Sequence, residues 1–239
     1  MHFVGVIPAR INSTRIPGKP LLEIAGKSLI EWVYERACQA SRLDDIIVAT
    51  DDERILRTVE SFNGKVVMTS PDHVSGTDRV AEVAESVQAD VFVNMQGDEP
   101  LISPETIDQI CMPFERDADI KVTTACFEIV DPMEMNDPHT VKVVFNKQGR
   151  ALYFSRATIP HQQGVGSVYK HIGIYGYRRD CLRIFSDLSV SPLETTERLE
   201  QLRLLENDIP IHVVEVMEDS FGVNTDEDIE RVRPLLENG

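Results

Sequence analysis

Short apolar runs alternate with amphipathic stretches through the first half of the chain. Phe3–Ile7, Ile46–Thr50, Lys65–Met68 and Val91–Met95 are brief, rich in β-branched residues and read as strands. Between the first two, Leu29, Ile30, Val33 and Ala37 recur at helical spacing, and Ile55, Leu56, Val59 and Phe62 repeat the pattern before the third. This spacing predicts helices over Ser28–Gln39 and Asp52–Phe62. Two more are predicted over Gly76–Val87 and Pro104–Phe114. Ser28 and Asp52 stand where N-caps belong. Strands alternating with helices of this length build βαβ units, so a mainly parallel sheet flanked by helices is expected.

After residue 120 the pattern changes. Lys121–Ile129, Val141–Phe145, Ala151–Ser155 and His171–Tyr177 read as strands with little helix between them. Asn146-Lys147-Gln148-Gly149 reads as the turn of a hairpin. Mixed or antiparallel pairing is expected there, as a β-rich insert over about residues 121–180. A helix is predicted over Pro192–Asn207, a strand over Ile211–Val216 and a last helix from Thr225. Asn224 or Thr225 would cap that helix, with Asp226, Glu227 and Asp228 in the first turn, where the dipole favours acids. No repeat or linker interrupts the chain, so one α/β domain over residues 1–239 is the simplest account.

Composition narrows the function classes. The 239 residues are 42% hydrophobic and 27% charged, as in a soluble globular protein. A formal net charge of -16 disfavours nucleic acid and anionic membrane as partners. No apolar run approaches a membrane span, and Phe3–Ile7 is too short for a signal peptide. Cys38, Cys111, Cys126 and Cys181 lack metal or redox spacing and read as buried free thiols in a reducing compartment. A cytoplasmic enzyme of small metabolites fits.

In so acidic a chain, Arg10, Arg15 and Lys19 crowd into one small-residue loop directly after the first strand. Loops at that edge of an open α/β sheet bind ligands, and this one reads as a triphosphate cradle. It is neither a P-loop nor a dinucleotide fingerprint: Pro20 follows Gly18-Lys19, and G-x-G-x-x-G is missing. Asp98 and Glu99 follow the Val91–Met95 strand, and hard oxygen donors there suit Mg²⁺, with Asp98 the first candidate ligand. Ser75, Gly76 and Thr77 open a predicted helix, either as donors to a nucleotide or as a plain cap. Arg156 could clamp an acidic substrate, while His171 taken alone reads as a structural histidine.

Taken in order, these segments resemble the 3-deoxy-manno-octulosonate (Kdo) cytidylyltransferases. The resemblance rests on Ile7-Pro8-Ala9-Arg10, Ser13-Thr14-Arg15, Pro17-Gly18-Lys19-Pro20, Ser75-Gly76-Thr77-Asp78-Arg79 and Gln96-Gly97-Asp98-Glu99-Pro100. It continues through Tyr153-Phe154-Ser155-Arg156, His171 to Arg178 and Leu199-Glu200-Gln201-Leu202-Arg203, so it covers nearly the whole chain. It implies a nucleotidyltransferase-type α/β fold and a homodimer formed through the β-rich insert. The implied reaction joins CTP and an acidic eight-carbon sugar into a CMP-sugar for lipopolysaccharide synthesis, with Mg²⁺ and release of pyrophosphate. By the resemblance Arg10, Lys19 and Asp98 are catalytic. Pro8, Ala9, Arg10, Ser13, Arg15, Lys19, Ser75, Gly76, Thr77, Arg79 and Gln96 hold the nucleotide. Arg156, His171, Tyr175, Glu200 and Gln201 line the sugar pocket, and Asp98 and Asn224 hold the metal.

Two features depart from the family pattern. Asn224 stands in Gly222-Val223-Asn224-Thr225 where the family has a second metal-binding aspartate; its carbonyl still offers an oxygen, and Asp226 is a nearby auxiliary. The connection from Pro160 to His171 is short and poor in basic and aromatic residues, which points to a variant sugar such as an amino-substituted one. The rival readings are a cytidylyltransferase for another acidic sugar, a nonulosonate, and a non-catalytic nucleotide sensor.

Overall fold

The computed structural model describes residues 1–11, 16–161 and 166–237. The chain opens with β1 (Phe3–Ala9), a 3₁₀ turn at Lys19–Leu21, a small hairpin of β2 (Glu23–Ile24) and β3 (Lys27–Ser28), and α1 (Leu29–Ala37). Then come β4 (Asp45–Thr50), α2 (Glu53–Ser61), β5 (Val66–Met68), α3 (Gly76–Ser86), β6 (Val91–Asn94) and α4 (Pro104–Arg116). The second half holds β7 (Val122–Glu128), α5 (Pro132–Asn136), β8 (Lys142–Phe145), β9 (Ala151–Ser155), β10 (Tyr169–Arg178) and α6 (Arg179–Asp187). It closes with α7 (Pro192–Glu197), α8 (Leu202–Glu206), β11 (Ile211–Glu215) and α9 (Asp226–Glu237).

One sheet runs through the molecule in the order β11-β7-β10-β6-β1-β4-β5. β6, β1, β4 and β5 are mutually parallel, as the βαβ pattern requires. β10 runs antiparallel to both β6 and β7, and so joins the parallel half to the rest. Successive residues of β1 serve two cores. Phe3, Ile7 and Ala9 pack on one face with α1, α2 and α4, while Val4 and Val6 pack on the other with α3, α6 and α8. Burial on both faces explains why β1 reads as a continuous apolar run. A smaller cluster of Ile24, Leu29, Val223, Val232 and Leu236 ties α9 to the β2–β3 hairpin.

Several expectations need correction. Residues 121–180 are not a separate layer: β7 and β10 lie inside the main sheet, and only β8 and β9 leave its path. The Asn146–Gly149 turn does join them, with Gly149 in the left-handed region and Asn146 N–H bonded to Arg150 O. The helix expected over Pro192–Asn207 is two, broken where Arg198 takes φ 55°. α6 was missed although Cys181, Leu182 and Phe185 give it a buried stripe. Asp52 caps α2 through Arg54 N–H, but the Ser28 hydroxyl is buried without a partner. At α9 the capping expectation holds: Thr225 exchanges bonds with Asp228, and Asn224 N–H donates to the same carboxylate. Cys38 is exposed, unlike the other three cysteines.

Candidate active site

The C-terminal edge of the parallel strands is where the chemistry-bearing loops meet. β1 and β6 are neighbours, so Arg10, just past one, and Gln96 to Asp98, just past the other, arrive at the same edge. α3 adds its N-terminus there: Ser75 Oγ accepts from Asp78 N–H while the Asp78 carboxylate accepts from Ser75 N–H, each at 3.1 Å. Together they bound a cavity of about 370 Å³ lined by Pro8, Ala9, Arg10, Lys19, Ser75, Gly76, Arg79, Gln96, Asp98 and Asn224.

Residues 19, 98 and 224 converge at one end. Gly18, at φ 71°, turns the chain into the 3₁₀ segment that carries Lys19. The Lys19 ammonium donates to Asp98 Oδ2 at 2.5 Å and to Asn224 Oδ1 at 3.1 Å. A Val223 N–H to Asp98 O bond of 2.8 Å locks the last segment against the loop after β6. Asp226 is exposed in the first turn of α9 and does not line the cavity.

The other end is held from below by ion pairs. Arg79 is buried, pairs with Asp51 at 3.1 Å and donates to Thr69 Oγ1. His73 reaches the cavity with its Nε2 bonded to Glu82. Burial alone would raise the Glu82 carboxyl, but Ser70 N–H and the His73 imidazole hold it below the usual range.

The expected sugar residues come from three other places: His171 and Tyr175 on β10, Arg156 just past β9, and Glu200 and Gln201 between α7 and α8. Glu200, in the break between α7 and α8, accepts from Thr77 Oγ1 at 2.6 Å, and Asn94 Nδ2 donates to the same hydroxyl. Burial pushes the Glu200 carboxyl up. His171 Nε2 lies 2.9 Å from Thr124 Oγ1, whose own proton goes to Ile174 O. The imidazole is therefore the donor, and burial drives its pKa down to about 3. Its ring centroid lies 5.3 Å from Tyr175. Arg156 is fixed by Nε to Glu197 O and Nη1 to Pro138 O. The seam between the two regions is Gly173, where a Cβ would come within 3.4 Å of Gln96 and 3.3 Å of Glu99 Oε1.

Comparison with known proteins agrees with this layout. Residues 4–215 match the family described as cytidylyltransferase. The chain is 50% identical to the 3-deoxy-manno-octulosonate cytidylyltransferase of Solibacter usitatus over 98% of its length and 94% of the relative's. The enzyme of that name from Escherichia coli is 46% identical, covering 97% and 94%. The chain belongs to the 3-deoxy-manno-octulosonate cytidylyltransferase family. A solved CMP:2-keto-3-deoxy-manno-octonic acid synthetase complexed with CTP superposes with a TM-score of 0.95 at 45% identity, over 100% of this chain and 99% of that one. A thymidylyltransferase from Bacillus anthracis, 15% identical with a TM-score of 0.71, shares the fold.

Within this family member, the structure distributes the expected residues unevenly. Ten of them share the cavity, while Ser13 and Arg15 lie outside the described residues. Thr77 is fully buried and turns its hydroxyl to Glu200. None of the five expected sugar residues lines the cavity itself; Glu200 reaches its α3 wall through Thr77, and β10 approaches Gln96 at Gly173. Sequence reasoning gave no role to His73, Lys142 or Glu197, and read Glu99 only as an oxygen donor beside Asp98. The Glu99 carboxylate accepts from Ser220 Oγ at 2.8 Å, and burial with Asp98 alongside raises it to about 7. Glu197 accepts from Ser155 Oγ and from Arg156 N–H, and fully buried Lys142 donates to the carbonyls of Asp137, Thr140 and Arg156. No spacing announces such contacts, because the partners stand 14 to 121 residues apart except within the Asp137–Lys142 turn.

Proposed function

We propose that the chain transfers CMP from CTP to an acidic eight-carbon 3-deoxy keto sugar, Kdo or an amino-substituted variant, for lipopolysaccharide synthesis. A bond forms from the sugar's anomeric hydroxyl oxygen to the α-phosphorus as its O–H proton passes to water, the bond from the α-phosphorus to the α–β bridging oxygen breaks, and pyrophosphate leaves with the electron pair. The observation carrying this reading is the meeting of Arg10, Lys19, the α3 N-terminus and Asp98 on one cavity. Fixed cations and N–H groups there would stabilise charge developing on the leaving oxygen, so positioning and electrostatics supply most of the rate.

The donor set also suits Mg²⁺. Asp98 Oδ2 and Asn224 Oδ1 already share one cation, the Lys19 ammonium. Among the described residues no group of three or more His, Cys, Asp or Glu could hold a metal. A bound Mg²⁺ would therefore take Asp98 and Asn224 together with phosphate and water oxygens, and would neutralise triphosphate charge. On the sugar side, Arg156 is pre-set for a carboxylate, and Glu200 and Gln201 offer an acceptor and a donor for hydroxyls.

The same reading includes a cytoplasmic homodimer. The dimer is supported by the β8–β9 pair, whose outer strand β9 leaves Leu152 61% exposed. No described helix is long and apolar enough to cross a membrane. The test is pyrophosphate release with each of the four NTPs against a panel of acidic sugars. CTP- and octulosonate-dependent release is expected. Preference for a nonulosonate, or nucleotide binding without turnover, would replace this reading with one of its rivals.

A further inference from the structure

Lys142, the first residue of β8, is a fully buried ammonium, and burial of a charge calls for a reason. Its three donors all go to main-chain carbonyls: Asp137 O at 2.8 Å, Thr140 O at 2.6 Å and Arg156 O at 2.8 Å. A methionine would fill the same space without taking a charge out of water, so packing alone does not call for lysine. What the ammonium does is draw two pieces of chain to one point. One is the turn over residues 137–140, closed by Thr140 N–H to Asp137 O. The other is the end of β9, where Ser155 lies opposite Lys142 in the β8–β9 pair and Arg156 follows.

The head of Arg156 is steered by the same turn. Its Nη1 donates to Pro138 O, inside that turn, at 3.0 Å, and its Nε to Glu197 O at 2.9 Å. Lys142 thus sets both where the Arg156 main chain stands and where the carbonyl that aims its guanidinium stands. Glu197 ends α7, three residues before Glu200, so the head is also tied to the break that carries Glu200 and Gln201. A guanidinium has five N–H groups. Among the described residues these bonds occupy two, and three remain to meet a carboxylate. An arginine fixed in this way before its ligand arrives loses little rotamer freedom on binding.

Resting on the acidic-sugar reading above, we infer that Lys142 is a positioning residue for sugar recognition: by gathering the 137–140 turn and the Arg156 carbonyl on one ammonium, it holds the Arg156 guanidinium where it meets the sugar carboxylate. The experiment is a double-mutant cycle. Wild type, Lys142→Met, Arg156→Met and the double variant are assayed for CTP-dependent pyrophosphate release with 3-deoxy-manno-octulosonate and with its C1 carboxamide. Lys142→Met is expected to raise the KM for the acid at least tenfold, with the KM for CTP and kcat each changed less than about threefold. The double variant should be no worse than Arg156→Met. With the carboxamide, Lys142→Met and wild type should differ less than threefold. Lys142→Gln, which still donates to carbonyls, should recover part of the affinity for the acid. If methionine lowers the thermal melt enough to unfold the protein at the assay temperature, Lys142→Gln takes its place in the cycle. Losses that multiply, an equal loss with the carboxamide, or a KM for CTP that rises as far as that for the acid would overturn the inference. If wild type turns over neither form, the transferase reading falls, and calorimetric affinities for the acid in the same four proteins decide the role of Lys142.

Discussion

The two ends of the site are built in opposite ways. At the nucleotide end, side chains come from loops at strand and helix ends and surround open space: Arg10, Lys19, Gln96 and Asp98 all border one cavity. At the sugar end the candidate groups are already engaged by neighbouring residues. Glu200 is bonded to Thr77, His171 to Thr124, and Arg156 to Glu197 and Pro138. A highly charged ligand can organise flexible cations around itself, and a metal can help. A sugar offers many hydroxyls of similar chemistry, so discrimination depends on groups held in place before it arrives. The nucleotide end should therefore fail chemically when broken, and the sugar end should fail structurally.

The sharpest test of this contrast is Asp98→Ala. Asp98 sits on a loop and is partly exposed, and its ion pair is with Lys19 rather than with the core. Turnover should fall at least about a thousandfold, as removal of a central electrostatic group does, while the melting temperature shifts by no more than a few degrees. Steady-state kinetics and a thermal melt check both halves of the statement. Near-normal turnover would remove Asp98 from the reaction, and global unfolding would erase the distinction between the two ends.

The opposite outcome is expected for Glu194→Ala. Glu194 forms two hydrogen bonds to buried Arg203, at 2.8 and 2.5 Å, and Arg203 stacks 4.4 Å from the Phe185 ring centroid. This pair fastens α7 to α8 across the break that carries Glu200. Removing one partner of a buried pair typically costs about 3–5 kcal/mol. Burial alone would raise the Glu194 carboxyl, but Arg203 and Ser191 N–H bring it below its ordinary value. Its stabilisation is therefore present above the usual glutamate range and is lost as the pH falls through the lowered pKa. Denaturant melts at neutral pH should show the loss in the variant, and acid should narrow the gap to wild type.

These two residues also mark what a linear reading could and could not reach. The cradle was legible because its parts are short motifs placed at strand ends: once β1, β6 and α3 are recognised, Arg10, Asp98 and Ser75 share an edge by topology. Lys19 to Asn224 was legible only through family resemblance, since 205 residues separate them. The extent of the insert was not legible because strand runs show pairing capacity and not partners; β7 and β10 are as β-rich as β8 and β9 yet lie on the linear path of the sheet, from which β8 and β9 branch. The α7–α8 break was hidden because an arginine in the left-handed region has no sequence mark.

A third, smaller effect sharpens the picture of the sugar end as a preformed structure. His171 remains neutral in the folded protein until about pH 3, whereas in the unfolded chain it protonates near 6.5. Between those values the unfolded state binds more protons, so stability rises with pH across the window and is lost as the pH falls through it. Each pH unit is worth at most about 1.4 kcal/mol for one such group. His171→Gln should flatten this slope between pH 6 and pH 4 in urea melts. A slope that persists unchanged would mean that the imidazole is hydrated in solution and that the region opens readily.

The smallest expected effect probes the junction itself. Thr77 belongs to α3, whose first turn borders the nucleotide cavity, but its hydroxyl donates to Glu200 and accepts from Asn94. Replacing it with valine conserves shape and leaves the Glu200 carboxylate and the Asn94 amide without that partner. A lost hydrogen bond to a charged group is worth about 1.5–3 kcal/mol, reduced where the carboxyl's pKa is itself raised by burial. About a tenfold fall in kcat/KM for the sugar is therefore expected in Thr77→Val, with the KM for CTP changed less than about threefold and recovery in Thr77→Ser. If CTP affinity drops as far as sugar affinity, Thr77 serves the cradle after all, and the two ends of the site act as one unit rather than as a charged loop system resting against a finished wall.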